Sequence, residues 1–387
     1  MRILWAGVSP IAASGYGVAS KNILPRLKAA GHDVWCFSFY SVPGQNYTWQ
    51  GIPILPIHKQ QFGSDIVTGY IQRYQIDLVT MLFDQWPICA WQDLGDIYVP
   101  QVVLHYRPME LPLKEAVEKL PMRIALCEWA KSVMADEGLP SVVIPLGVDT
   151  KVYRPIWGTL DDAGNLITQE SCKAHWNIPP DKFVVGMVQA NRDFRKNLEG
   201  QLTVFREFHE RNPDTILLFH TNPNANEGGW DLPRLLHFLE LDTAPGRDGC
   251  VYMTDAWAQD LNEGEMTVLY SAMDVLLQCS MSEGFGVPII EAAACGTPAI
   301  VSDFSAMPEV AGLHAWKVGG DLRPTPMYSF GLLADPEWML RALEESLTEA
   351  KNRRGAAREH ALGYDYDKIV KERWLPFLKE WQENREL

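Results

Sequence analysis

The chain has 387 residues, of which 47% are hydrophobic, and a formal net charge of -15. This length allows two domains, each with its own hydrophobic core. The acidic balance argues against nonspecific binding to nucleic acids or anionic membranes, because both are polyanions.

Seven cysteines are scattered singly, and none forms a Cys-x-x-Cys pair. An odd number of isolated cysteines argues against a disulfide framework or a structural zinc site, so a cytoplasmic location is expected. Residues 1–8 faintly imitate a signal peptide, but Ser9 and Pro10 break the apolar run, which instead predicts a first buried strand. No apolar run approaches the roughly 20 residues of a transmembrane segment.

The first half of the chain alternates apolar strands with helical segments. A helix is predicted at 18–30, and strands are predicted at 3–8, 34–39, 78–83, 101–105, 122–127 and 142–149. Such alternation is typical of a parallel sheet with helices on both faces. Gly15 and Gly17 follow the first strand, at the edge where α/β folds receive ligands. The geometry of a tight turn would also explain these two glycines.

The second half repeats this alternation after a turn-rich segment at 156–175, which predicts a linker or short hairpin. Strands are predicted at 183–190, 217–221, 251–254 and 274–279. The first of these strands is followed by three cations, Arg192, Arg195 and Lys196. Solvated surface charge would explain them. In an acidic chain, three cations at the junction of a strand and a helix also suggest a clamp on a diphosphate leaving group.

The most informative motif follows the strand at 274–279. Residues 283–291 read Glu-Gly-Phe-Gly-Val-Pro-Ile-Ile-Glu, which predicts a glycine turn that opens a helix. Glycines permit close backbone approach, and the N–H groups at a helix start bind anions such as a diphosphate. Glu283 in the turn and Glu291 in the expected first helical turn are suited to accept hydrogen bonds from hydroxyls. Solvation of Glu283 and a dipole interaction of Glu291 are the simpler explanations.

This motif, together with Glu-Ala-Ala-Ala-Cys-Gly-Thr-Pro from Glu291 onwards, resembles the signature of retaining glycosyltransferases of family 4. The resemblance implies the GT-B fold, in which two Rossmann-like, doubly wound parallel-sheet domains face a central cleft. It also implies an enzyme that needs no metal and no cofactor and takes a UDP- or GDP-linked sugar as co-substrate. We expect domains at 1–155 and 176–364, a linker at 156–175, and a last helix within 365–387 that packs back on the first domain.

The same resemblance assigns roles to particular residues. Glu283 would contact the transferred sugar, Glu291 would hold the ribose hydroxyls, and His105, placed at the end of its predicted strand, would touch the donor sugar. The residues implied at the diphosphate or sugar are Arg192, Lys196, Asn197, Gly284, Phe285, Gly286 and Val287. Arg192 and Lys196 match the family's arginine and lysine and would form the diphosphate clamp, which leaves Arg195 as a surplus charge.

The resemblance also assigns roles to two further pairs of residues. Gly15 and Gly17 would face the diphosphate or the acceptor, although Ser14 replaces a glycine that is usual in the family. Thr254 and Ala256 border the turn that would contact the nucleotide base, largely through backbone groups.

Two segments fit this picture less well. Asp365-Tyr366-Asp367 imitates a metal-binding Asp-x-Asp motif, but aspartates at a helix start more simply cap the helix, so no metal site is predicted. Residues 230–246 align with nothing in the resembled family and are interpreted as an insertion.

The expected reaction is transfer of a hexose from a nucleoside-diphosphate sugar to an acceptor hydroxyl, with retention at the anomeric carbon. Three alternatives stay open: glycoside hydrolysis by the two carboxylates, epimerisation of a nucleotide sugar, and a non-catalytic nucleotide-sugar-binding module. A glycan, a lipid-linked sugar, a small metabolite or a modified nucleobase would each serve as acceptor, and the sequence predicts no oligomeric state.

Overall fold

A computed structural model describes residues 1–12, 14–39, 47–57, 61–224, 228–241, 243, 249–255 and 261–386. The chain divides into two compact units. The first comprises Met1–Asp149, Thr325–Ser329 and the chain from Tyr364 onwards, and the second comprises Thr150–Pro324 and Phe330–Gly363.

The first unit is built on an eight-stranded sheet. Its strands are β1 Arg2–Gly7, β2 Asp33–Ser38, β3 Tyr47–Trp49, β4 Ile52–Pro56, β5 Leu78–Phe83, β6 Tyr98–Val102, β7 Ile124–Ala125 and β8 Val142–Val143. Its helices before residue 149 are α1 Gly15–Ala29, α2 Ser64–Tyr74, α3 Gln85–Ala90, α4 Leu111–Val117 and α5 Glu128–Asp136. The strand order is β3-β4-β2-β1-β5-β6-β7-β8, and only the β3–β4 pair is antiparallel among these strands.

The second unit has a six-stranded parallel sheet and a separate hairpin. The sheet contains β9 Phe183–Val188, β10 Thr215–Thr221, β11 Val251–Asp255, β12 Val275–Gln278, β13 Ala299–Ser302 and β14 Trp316–Val318, in the order β11-β10-β9-β12-β13-β14. The antiparallel hairpin pairs β15 Gly320–Pro324 with β16 Phe330–Ala334. The helices are α6 Gln169–His175, α7 Leu198–Arg211, α8 Leu232–Phe238, α9 Glu263–Ala272, α10 Val287–Ala294, α11 Met307–Ala311 and α12 Pro336–Leu362.

Strands and helices of both units form where the sequence carries apolar runs of the matching period. Strand β5 is buried at every position, as a parallel strand covered on both faces requires. On α7, the apolar face predicted from the sequence, with Leu202, Phe205 and Phe208, is fully buried in the core of the second unit. The α/β class with two parallel sheets is therefore confirmed.

The C-terminal segment is helical and belongs to the first unit. It runs through α13 Tyr366–Ile369, a π-helical turn at Val370–Trp374, and α14 Leu375–Glu386. The ring of Trp374 lies 5.7 Å from that of Trp5 between centroids, and Asp367 accepts a hydrogen bond from Arg26 Nε at 2.6 Å. Asp365 caps the start of α13 by accepting from the backbone N–H of Asp367 at 2.8 Å, which is the simpler of the two explanations given for Asp365-Tyr366-Asp367.

Three predicted boundaries were wrong. Helix α1 begins at Gly15 instead of residue 18, because the hydroxyl of Ser14 accepts the N–H of Gly17 and caps the helix earlier. Strand β6 ends at Val102, three residues before His105. The predicted linker at 156–175 contains an isolated bridge between Leu160 and Leu166, as a short hairpin would, but its last seven residues form α6.

The described residues contain neither a membrane-spanning helix nor a cluster of metal ligands. No helix there is both long and apolar enough to span a membrane. No group of three or more His, Cys, Asp or Glu side chains is arranged to hold a metal ion within the same part of the chain.

Candidate active site

Two loops of the second unit meet where the strand order of its sheet reverses. The chain moves from β9 to β10 on one side, whereas β12 lies on the other side of β9. In open α/β sheets, ligands bind in the crevice outside the carboxyl ends of the strands at such a reversal. Here the crevice is bordered by residues 189–197 after β9 and residues 279–286 after β12.

The loop after β9 has a fixed conformation. Asp193 caps a 3-10 turn at Phe194–Lys196 by accepting from the backbone N–H of Arg195 at 2.9 Å. Asn197 then takes a left-handed conformation with φ of 48°, which asparagine tolerates better than most residues, and α7 begins directly after it. The side-chain amide of Asn197 donates to the carbonyl of Cys279 at 3.2 Å, so the two loops are joined.

Gln201 on α7 joins the same two loops a second time. Its amide nitrogen donates to the carbonyl of Lys196 at 2.8 Å, and its amide oxygen accepts the N–H of Cys279 at 2.8 Å. Gln189 at the end of β9 donates to that same oxygen at 3.0 Å. These buried glutamines were missed by sequence analysis, because a single glutamine on a helix carries no distinguishing pattern.

Glu283 is the centre of the site's charged groups. Its Oε1 lies 2.7 Å from Lys196 Nζ and 2.8 Å from Ser280 Oγ. Its Oε2 lies 2.9 Å from Arg195 Nη1. The carboxylate is almost entirely buried, with a relative exposure of 6%. Glu283 and Lys196, which were predicted to contact the sugar and the diphosphate, lie in direct contact with each other, and Arg195, predicted to be surplus, completes the cluster.

The pKa values in this cluster are set by the contact of two cations with one buried carboxylate. Burial alone would raise the pKa of Glu283, but the charges of Lys196 and Arg195 outweigh it and hold that pKa well below its usual range. Burial lowers the pKa of the Lys196 ammonium, with the negative charge of Glu283 opposing this shift. Glu283 is therefore ionised at neutral pH and fixed by charge-assisted hydrogen bonds.

Arg192, the other member of the predicted clamp, is exposed at the surface of its loop. Arg195, only three residues further on, is the arginine whose guanidinium contacts Glu283. A charge pattern does not tell which of two neighbouring arginines points inwards, because the direction depends on the turn at Phe194–Lys196.

The glycine turn ahead of α10 has the predicted conformation. Gly284 and Phe285 are buried, and Gly286 takes a left-handed φ of 95° at the helix N-cap. A Cβ on Gly286 would lie 2.8 Å from Ile289 Cδ1, so both the conformation and the close approach require glycine. Val287 is the first helical residue, and the start of α10 presents its backbone dipole towards this turn.

Glu291 is the fifth residue of α10, so the expectation that it lies in the first helical turn was wrong. The helix begins at Val287, so the Glu291 carboxylate lies beyond its first turn of about 3.6 residues. Tyr270 on α9 donates to Glu291 Oε2 at 2.8 Å. Burial raises the pKa of Glu291 to about 7, although hydrogen bonds from Tyr270 and Tyr153 act in the opposite direction.

Residues near the predicted base-binding turn lie on β10 and β11. Thr254 is buried, and its hydroxyl lies 2.7 Å from Nδ1 of His220, a contact that sequence analysis did not predict. Ala256 falls outside the described residues. Of the segment 230–246, the structure describes 230–241 and 243, with α8 inside it. Its first residue, Trp230, is held by Asn191, whose side-chain oxygen accepts the Trp230 N–H at 2.8 Å.

The predicted residues of the first unit lie at the carboxyl edge of its own sheet. Gly15 and Gly17 are in the first turn of α1 instead of a preceding loop. A Cβ on Gly17 would lie 2.2 Å from the carbonyl oxygen of Ala12, so close backbone packing explains this glycine. His105 is partly buried, and its ring lies 6.1 Å from that of Tyr106.

Comparison with known proteins shows what the chain is similar to. Residues 256–319 match the family model of glycosyl transferases group 1. A serotype-specific mannosyltransferase WbdA from Escherichia coli is 37% identical over 176 residues, which cover 46% of this chain and 19% of that protein. An O-antigen chain mannosyltransferase B from Escherichia coli is 30% identical over 166 residues, covering 41% of this chain and 39% of that protein. The matches thus span well under half the length of these relatives.

Solved structures with the same fold match nearly the whole chain. Sucrose-phosphate synthase from Thermosynechococcus elongatus superposes with a TM-score of 0.78 and 17% identity, covering 99% of this chain and all of that one. The parallel sheets and the site at the strand reversal define a protein with the GT-B fold. The segment at 256–319 is thus similar to the glycosyl transferases group 1 family, and the solved structures show the fold.

Proposed function

We propose that this protein is a retaining glycosyltransferase that moves a hexose from a nucleoside-diphosphate sugar to an acceptor hydroxyl without a metal ion. One observation carries the proposal. The buried ammonium of Lys196, whose side chain is 12% exposed, contacts Glu283 as its only acceptor among the described residues. An ammonium has three donors, and the donors that remain lie at the sheet reversal, where an anionic ligand is expected.

The chemistry that this arrangement favours is stabilisation of a leaving diphosphate. As the bond to the sugar breaks, negative charge builds up on the diphosphate, and groups that interact more strongly with that charge lower the barrier. Lys196 and Arg192 would supply positive charge. The amides at Gly284, Phe285, Gly286 and Val287 would add N–H donors, as helix starts do for phosphates.

The remaining predicted residues would hold the rest of the donor. Glu283 would accept hydrogen bonds from the sugar and Glu291 from the ribose, while Asn197 fixes the loop of Lys196. We propose that Thr254 and Ala256 border the base. His105, Gly15 and Gly17 would act from the first unit on the sugar, the diphosphate or the acceptor.

The relatives narrow the choice of donor to be tested first. The five relatives compared are all named mannosyltransferases, which favours a mannosyl donor. HepE from Anabaena, which has the same fold with a TM-score of 0.71 and 16% identity over 98% of this chain and all of that one, is described in complex with UDP and glucose. This neighbour favours a UDP-linked sugar, and a GDP-linked sugar, which the family resemblance also implies, is tested beside it.

The test is a thermal-shift screen of UDP, GDP, ADP and their sugars, followed by a donor-hydrolysis assay with the best ligand. A ligand that binds the native state at 100 times its Kd stabilises it by about 2.7 kcal/mol, a clear shift in Tm. A glycosyltransferase should bind one nucleotide selectively and hydrolyse its sugar slowly without an acceptor. Failure of every nucleotide to raise the Tm would contradict the proposal.

The same assays separate the alternatives. An epimerase would convert the donor sugar without any acceptor, and a non-catalytic binding module would show a thermal shift without hydrolysis. Release of sugar from an unactivated glycoside would indicate a hydrolase. We also propose a cytoplasmic location, because the seven cysteines are placed singly along the sequence.

A further inference from the structure

Arg195 and Lys196 contact different oxygens of the same carboxylate. Lys196 lies against Oε1 of Glu283, whereas Arg195 lies against Oε2. Ser280 also donates to Oε1, so this oxygen keeps a hydrogen bond when Lys196 is elsewhere. The two cations therefore do not compete for the same oxygen, and each is able to leave the carboxylate without displacing the other.

The two side chains differ in how firmly they are held. Arg195 Nη1 also donates to the carbonyl of Ser282 at 2.7 Å, and the carbonyl of Arg195 accepts the N–H of Met281 at 2.7 Å. Arg195 is thus fixed to the loop of Glu283 by its side chain and its backbone. Lys196 Nζ has one acceptor among the described residues, and a flexible four-carbon stem.

We propose that Arg195 is a positioning residue: it holds Glu283 in place while Lys196 leaves that carboxylate for the diphosphate of the donor. This inference rests on the proposed function, because it requires that Lys196 bind a diphosphate. It adds a role for a residue that the sequence had left as a surplus charge.

The physical reason is the cost of a buried charge without a partner. If Lys196 were the only cation at Glu283, moving it to a ligand would leave a buried carboxylate unpaired, which is strongly unfavourable. With Arg195 present, Glu283 keeps one partner throughout. Asp193 lies 3.7 Å from Arg195 Nε and balances part of its charge. Ser280 in the loop after β12 and Gln278 at the end of β12 add uncharged hydrogen bonds to Glu283.

The test measures the Kd of UDP and of GDP by titration calorimetry with the full chain at pH 8, for wild type and Arg195→Gln, and for Glu283→Gln with and without Arg195→Gln. We expect Arg195→Gln alone to weaken binding about tenfold, because Glu283 then retains Lys196. Without the Glu283 carboxylate no buried negative charge retains Lys196, so the added loss of Arg195 should change the Kd by less than about threefold.

Two further variants make the result specific. Arg195→Lys keeps the charge and should restore binding to within about threefold of wild type. Arg206→Gln removes an arginine from an exposed pair with Glu210 on α7 and should leave both Kd values unchanged. Should Arg195→Gln not fold, Arg195→Met, which keeps the apolar stem, provides the same comparison.

Several outcomes would contradict the inference. A Kd that Arg195→Gln leaves unchanged would exclude the positioning role, and an equal loss of affinity with and without the Glu283 carboxylate would indicate a merely structural one. If wild type binds a nucleoside diphosphate and Lys196→Ala weakens it while Arg195→Gln does not, only this inference fails. If wild type binds neither UDP nor GDP, the proposed function fails with it.

Discussion

The hydroxyl of Tyr270 lies 2.8 Å from Oε2 of Glu291, and both side chains are buried in the second unit. Burial makes the ionised form of Glu291 unfavourable and raises the pKa to about 7, while the tyrosine hydrogen bonds to the carboxylate lower it. A residue predicted to accept hydrogen bonds from a ribose is therefore close to half protonated at neutral pH.

This pKa predicts a pH dependence of stability. A carboxyl group with a raised folded-state pKa keeps a proton that the unfolded chain has lost, so its contribution decreases as the pH rises from about 4.5 to about 7. The full effect is roughly 3 kcal/mol at 1.36 kcal/mol per pKa unit. We expect Glu291→Gln, which imitates the protonated form, to raise the Tm relative to wild type more at pH 8 than at pH 5.

The measurement is a thermal melt of both proteins at the two pH values. Glu207→Gln, at an exposed position on α7, serves as the control and should give the same difference from wild type at both. An equal difference for Glu291→Gln at pH 5 and pH 8 would show that Glu291 is ionised throughout.

Tyr270→Phe tests the hydrogen bond itself. Removing the hydroxyl leaves a buried carboxylate with one donor fewer, which should cost about 1 to 3 kcal/mol of unfolding free energy at neutral pH. Tyr98→Phe is the matched control, because Tyr98 is also fully buried but its hydroxyl lies 3.6 Å from Met81 Sδ, a weak acceptor. Chemical denaturation should show a smaller loss for Tyr98→Phe, and equal losses would argue against a special role of the Glu291 contact.

Lys196→Ala tests the proposed stabilisation of the leaving group. We expect turnover at saturating donor to fall by the equivalent of about 2 to 4 kcal/mol, since each 1.36 kcal/mol is tenfold. Lys182→Ala, which removes a lysine from a pair with the exposed Asp214, should leave turnover unchanged. Near-normal turnover of Lys196→Ala would exclude the assigned role.

Two glycine-to-alanine substitutions should act in opposite directions. Gly286→Ala forces a side chain into a left-handed conformation against Ile289 and should destabilise the protein by about 1 to 3 kcal/mol. Gly355→Ala lies in α12, where a Cβ meets nothing within 4 Å, and should stabilise it by about 0.5 to 1 kcal/mol. The free energies of unfolding measure both effects, and a stabilising Gly286→Ala would contradict the close contact.

Sequence analysis predicted the layered α/β architecture because buried parallel strands are continuous apolar runs, and such runs mark β5 and β12 clearly. It also assigned Glu283 and Lys196 to one donor site, and in the structure their loops follow neighbouring strands. It did not predict the 27-residue helix α12, whose residues are mostly polar and whose apolar positions give a weak periodic signal.

The failures inside the site are conformational. Glycines at 15 and 17 indicated a loop, yet the cap at Ser14 places both inside α1. The contact of Arg195 with Glu283 was not predicted, because the direction of a side chain in a turn is decided by φ and ψ, which Asn197 and Asp193 fix together. Such effects depend on contacts across the fold, which single-sequence patterns do not contain.

Gln201 has a consequence for how core mutations affect the site. Its one side chain bonds the backbone of Lys196 and that of Cys279, and it is carried by the same helix whose Phe205 and Phe208 are packed in the core. A shift of this helix therefore moves the Gln201 side chain, and with it the hydrogen bonds that hold both loops. Apolar substitutions far from the site that loosen the packing of α7 would change the distance between Lys196 and Glu283 before the domain unfolds.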